Sequence, residues 1–157
     1  MIILPAINPE PMENYFEEIF VQELSKLKDE VSKFNNDADV WRVVDGVINP
    51  AGVLTKHLLG NLNHTIGATM GKNGYTRNRE YEFSVSAETR DELVGQIEKT
   101  IGVVKTVLSG LTQSTLDENY PLEMFGQKST AFYLTYFYGH FKYHLGQINY
   151  LRRILEQ

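Results

Sequence analysis

The sequence contains no cysteine. No disulfide framework can form, so nothing points to an oxidising compartment. Thiolate ligands and a cysteine nucleophile are excluded as well. A metal ion would have to be held by nitrogen and oxygen, and thiol chemistry would need a thiol carried by a small molecule. Basic character is also scarce. Fifteen Lys and Arg against twenty Asp and Glu leave a formal charge of −5 and a pI near 5.4, and the cations are thinly scattered. A nucleic-acid binder ordinarily presents a basic face, so direct binding to nucleic acid is not expected. No run of about eighteen apolar residues occurs, so no membrane-spanning helix is expected. The opening MIILPAINPEP lacks the basic start and long apolar run of a signal peptide. The expectation is a soluble, cytoplasmic protein.

What is present reads as a globular chain. It has 157 residues, 42% apolar and 22% charged, which fits a single domain over 1–157. Four stretches repeat apolar residues at three and four, the spacing of one helix face. The first runs from about Glu10 to Phe34 and is ended by NND at 35–37. The second opens at Asn49 as N-cap with Pro50 in the first turn, and continues to Gly71 as a helix-ending glycine. The third starts with a capping box, Thr89 to Glu92, and carries Leu93, Ile97, Ile101, Val104, Leu108 and Leu111. The fourth runs from Ser129 or Thr130 to about Leu155 and is apolar nearly all round in its first half. Segments 35–48, 72–88 and 112–128 read as long connections. The fold expected is all-α, a four-helix bundle with long crossover loops, with an irregular all-α domain as the alternative.

The fourth helix carries two of the four histidines, His140 and His144. Residues four apart on a helix lie on one face. Tyr133, Phe137, Leu151 and Leu155 share that face, so both imidazoles point into the bundle. A buried imidazole needs partners for both ring nitrogens, and a metal on one with a hydrogen-bond acceptor on the other is an economical solution. Ordinary hydrogen bonds at both nitrogens are the plainer one. A third ligand is available on the second helix, where His57 and His64 are seven apart. If that face looks at the fourth helix, His57, His140 and His144 can close around one ion. A three-nitrogen set suits zinc, nickel, copper or ferrous iron, and it leaves a coordination position open, as in reactive sites. His64 is left over as a core or rim residue.

The strings NPAGVLTKHLLGNLNHTIGATMG, GYTRNREYEF, YPLEMFGQKST and HFKYHLGQINYLRR together resemble the DinB-like superfamily, including its YfiT-like metal-dependent members, over most of the chain from about residue 11. They are most similar to a branch of uncharacterised bacterial proteins with H-L-x-G-N in the second helix and H-x-x-x-H-x-G-Q-I-N-Y in the last. The resemblance implies a four-helix bundle holding a divalent ion, with ligands at His57, His140 and His144. It also implies a metal-dependent thiol S-transferase using a low-molecular-weight thiol, or a related hydrolase, with small-molecule substrates and frequent homodimers. One departure is visible: Leu151 stands where close relatives often have His.

Other residues carry weaker signals. Asn61, four after His57, and Gln147, three after His144, could orient a ligand or a bound water, or simply cap a polar pocket. Arg77, Arg79, Glu80 and Glu82 sit on the connection after the second helix. An arginine there, Arg79 for example, could grip the carboxylate of a thiol cofactor, or form only surface ion pairs. Tyr136, Tyr143 and Tyr150 form a heptad stripe read as packing, and Gly139 and Gly146 would let another helix approach closely. A dimer face is the other reading of that stripe. No carboxylate stands out as a general base. The leading functional expectation is a metal-dependent thiol transferase or hydrolase. The alternative is a non-enzymatic metal-binding stress-response module that dimerises.

Overall fold

The computed structural model describes residues 11–157, so Glu10 and most of the opening segment lie outside the described residues. Seven α-helices and no strand are present among them: α1 (Met12–Ser32), α2 (Asp37–Val40), α3 (Ala51–Leu62), α4 (Arg79–Glu82), α5 (Arg90–Leu108), α6 (Gln113–Asp117) and α7 (Thr130–Leu155). A π-helical segment, Asn63–Met70, continues α3. None of the helices is long and apolar enough to cross a membrane.

The four long helices arise where the apolar spacing placed them. Helix α1 buries Phe16, Phe20, Leu24, Leu27 and Val31 on one stripe. It packs on α5 and α7, and α3 closes the ring by packing on the same two helices. An isolated helix of this length is marginal in water, so this shared core holds it. Each fully buried Leu or Phe contributes roughly 1.5–3 kcal/mol. Helix α5 begins as expected: Thr89 accepts from the Glu92 N–H, and Glu92 accepts in return from the Thr89 N–H at 2.8 Å. Helix α3 begins one residue later than expected, at Ala51, with Pro50 as the cap and no side-chain capping bond.

The connections hold three short helices where the sequence pattern predicts loops. Each is capped by a side chain: Asn36 accepts from the Asp39 N–H, Asn78 from Tyr81 N–H, and Thr112 from Thr115 N–H. Asn36 therefore starts α2 as well as following α1. Residues 119–129 close on themselves through an antiparallel bridge between Asn119 and Ser129, and buried Tyr120 donates its hydroxyl to the Thr65 carbonyl at 2.8 Å. Trp41 donates its indole N–H to the Glu88 carbonyl at 2.8 Å and lies flat against Gly52, where an added Cβ would stand 2.5 Å from the ring.

Two expectations need correcting. Gly71 does not take a left-handed conformation; its φ is −83°, and Lys72 takes the positive φ of 53° instead. Gly71 is there for space, since a Cβ would lie 2.4 Å from Val107 on α5. The tyrosine stripe of α7 is largely exposed, with Tyr136, Tyr143 and Tyr150 at 44%, 65% and 65%, although Tyr136 meets Phe125 at 4.5 Å between centroids. Among the described residues, Gly139 and Gly146 likewise meet no atom within 4 Å of an added Cβ, so no described helix approaches them closely.

Candidate metal centre

His57 comes from the middle of α3, and His140 and His144 come from successive turns of α7. The two helices pack directly against each other. The ring centroids form a near-equilateral triangle: 5.1 Å between His57 and His140, 5.2 Å between His57 and His144, and 4.6 Å between His140 and His144. One nitrogen of each ring lies within 4.8 Å of the others, so the cluster could hold a metal ion. His57 is buried and the other two are half-buried.

The outward nitrogens of two of the three rings are already engaged. His57 Nδ1 lies 3.1 Å from Glu82 Oε2. Burial pushes the Glu82 carboxyl up, but hydrogen bonds from Arg77 and His57 outweigh it and hold the group below the ordinary carboxylate value. An ionised carboxylate only accepts, so His57 carries its proton on Nδ1 and turns Nε2 inward as a lone pair. His144 Nδ1 pairs with Gln147 Oε1 at 2.7 Å, which does the same for that ring. The inward nitrogens of His57 and His140 stand 3.3 Å apart. Two nitrogens on a tetrahedral ion, each about 2.05 Å away, are separated by about 3.3 Å.

Burial lowers the pKa of His57, and Glu82 offsets this only in part. Burial and then the neighbouring rings push His140 down to about 4. Both are neutral near pH 7, which is the protonation state a metal ligand requires.

Glu82, which the sequence places only on the charged connection, is the residue that braces His57. Its side chain is almost wholly buried, and Arg77 grips it with two hydrogen bonds, Nε to Oε1 at 2.7 Å and Nη2 to Oε2 at 2.8 Å. A buried carboxylate survives only with such compensation. The short helix α4 delivers it across the start of the site. Gly60 makes room, because a Cβ there would lie 2.2 Å from Glu82 Oε1. Phe83, next along, packs at a tilt against His57, 4.8 Å between centroids.

The other expected residues are placed as follows. Gln147 supports His144, as above. Asn61 is half-buried one turn beyond His57. Arg79 is exposed, its guanidinium over the Phe83 ring at 5.3 Å, while Arg77 is the arginine that meets a carboxylate. That carboxylate belongs to the protein itself. Glu80 is exposed. His64 is half-buried on the π segment and outside the cluster; burial first, and then Arg77, lower its pKa.

The fold and cluster thus define an all-helical protein with a three-histidine site able to take a metal. The chain belongs to the family described as "Protein of unknown function (DUF1572)", whose profile matches residues 12–157. Its structure is similar to the crystal structure of a conserved protein of locus from Enterococcus faecalis, with a TM-score of 0.72 and 13% identity over 92% of this chain and 97% of that one. At that identity the likeness shows a shared fold. No curated protein matches the chain.

Proposed function

We propose that this chain is a single-domain, DinB-like four-helix-bundle protein that holds one divalent ion, zinc, nickel or ferrous iron, at His57, His140 and His144. The observation that supports this reading is the direction of the rings. Glu82 and Gln147 occupy the outward nitrogens of His57 and His144, which leaves the other nitrogen of each ring to meet a shared ion with His140. Glu82 fixes the His57 tautomer and strengthens it as a donor, and Arg77 keeps Glu82 ionised and in place. When bound, an ion held by three neutral imidazoles keeps its charge and acidifies a thiol or water in its open position, supplying a nucleophile near pH 7. On this basis the protein is a metal-dependent thiol S-transferase or hydrolase acting on a small molecule. Asn61 and Gln147 would orient the reactant beside the rings, with Arg79 at the outer edge.

A second reading, a non-enzymatic metal-binding module that works as a homodimer, is favoured by the exposed stripe of Tyr136, Tyr143 and Tyr150 on α7. Metal analysis of protein purified without a polyhistidine tag tests the proposal. One equivalent is expected, lost in His57→Ala; protein that neither carries nor takes up metal overturns both readings. A screen of common thiols against electrophiles then separates them, since metal-loaded protein with no turnover supports the module.

A further inference from the structure

The histidine cluster does not end at its own rings. His144 also forms part of the wall of a cavity of about 440 Å³ between the loop at 46–49 and the C-terminal half of α7. Small-molecule pockets commonly run from about 300 to 1,000 Å³. The rest of the wall is largely apolar, built from Val47, Ile48, Leu54, Leu151 and Ile154, with Tyr143 and Tyr150 on the α7 side. Its polar side chains are His144, Gln147 and Asn49, so they gather at the histidine end and on the loop. No Lys, Arg, Asp or Glu is among the lining residues.

Most nearby cations are committed elsewhere. Arg77 is held by Glu82, and Lys56 donates to the Ser84 carbonyl at 2.7 Å under the Tyr81 ring. Arg152 pairs with Glu30 and Glu156. Arg153 lies over Tyr150, 5.8 Å from its centroid. A carboxylate drawn into this cavity would lose its hydration and find no charged side chain among the lining residues. An alkyl or aryl group would lose only unfavourable contact with water. The mouth is apolar as well: Ile48 is 90% exposed and Ile154 47%.

We infer that this cavity is the substrate pocket of the metal centre, and that it takes a neutral molecule with an apolar tail, its polar head at His144 and its tail against Ile48, Leu54 and Ile154. The inference rests on the metal-site reading for the head of the ligand, while the cavity itself carries the tail. A doubly anionic thiol cofactor does not fit this wall. A small molecule is the occupant because the space is concave and shares His144 with the cluster.

Methyl NMR on the full chain tests this in two arms. In metal-free protein, hexan-1-ol should shift the methyls of Val47, Ile48, Leu54 and Ile154. Shifts confined to other methyls, or none, would overturn the pocket whatever the metal does. In zinc-loaded protein, butane-1-thiol should bind at least ten-fold more tightly than 3-mercaptopropionate, which carries a charge at its tail end. Equal or reversed affinity would overturn the neutral-tail assignment. Ile154→Asp, at an exposed position, should weaken butane-1-thiol at least ten-fold with zinc uptake unchanged; an unaltered affinity would count against the pocket. If the chain takes up no zinc, the metal-site reading fails, and the alcohol arm still decides the cavity. Shifts of the same methyls with protein concentration alone would assign this face to a second copy and overturn the inference.

Discussion

The two helices that bring the histidines together are built on different terms. On α3, eleven of twelve residues are buried, and His57 is fixed from outside its helix by Glu82 of α4, itself gripped by Arg77. On α7, His140 and His144 are half-buried, and His144 is steadied by Gln147 from its own next turn. One wall of the site is thus closed and cross-braced by long-range contacts. The other is held locally and opens on a cavity. On the proposed function the difference separates two jobs: the α3 wall would position a metal ligand as part of the core, and the α7 wall would admit the small molecule. Changes to the first should cost fold and metal together. Changes to the second should cost metal or ligand alone.

The largest effect is expected from Glu82→Gln. It removes the charge opposite half-buried Arg77 and leaves at best a neutral amide oxygen as the acceptor that sets the His57 tautomer. Stability should fall by roughly 3 kcal/mol, and zinc affinity by about 10- to 100-fold, read by thermal unfolding and chelator competition. Full stability with weakened zinc would mean that the α3 wall is not part of the core in the sense argued. Gly60→Ala should follow, because its Cβ would displace Glu82 without changing any charge. A loss of about 1–3 kcal/mol is expected, with zinc affinity reduced in step; structure-neutral behaviour would show that Glu82 moves freely. Gln147→Leu on the open wall should lower zinc affinity about ten-fold and leave stability within about 0.5 kcal/mol. A large loss of stability there would erase the contrast.

The smallest effect concerns neither wall. Glu23 of α1 is buried between Lys26 and Lys142. Burial pushes its carboxyl up, but the two lysines outweigh this and hold it below the ordinary value. A carboxyl whose folded pKa is depressed stabilises the fold fully above its unfolded pKa of about 4.3. That contribution is lost as pH falls through the folded pKa. Acid unfolding of Glu23→Gln should therefore show a shallower fall in Tm below about pH 4.3 than the parent. Parallel curves would remove Glu23 from the account.

Much of this organisation was legible in local patterns. The stripe of α5 and its capping box depend on residues three and four apart, and the Thr89–Glu92 box formed as read. His140 and His144 needed only helical spacing to share a face, and Gln147 only one further turn. Glu82 was not legible in the same way. It meets His57 across 25 positions of sequence, from a helix of four residues too short to show periodicity. Gly60 in HLLGN was the available signal, since a glycine inside a buried helix marks a close approach. The exposure of the tyrosine stripe depends on which face of α7 its neighbours leave uncovered, and heptad spacing alone describes buried and exposed seams equally well. The π segment after α3 also lay beyond the 3.6 period; there the Gly71 N–H reaches the Ile66 carbonyl, five residues back, at 2.9 Å.

The most direct measurement is an anomalous difference map from crystals of the full chain grown with zinc and recorded on both sides of the zinc absorption edge. The account predicts one strong peak, bonded to the inward nitrogens of His57, His140 and His144, with Glu82 still on His57. A map with no peak among these rings, or with the ion bound by other residues, would contradict it.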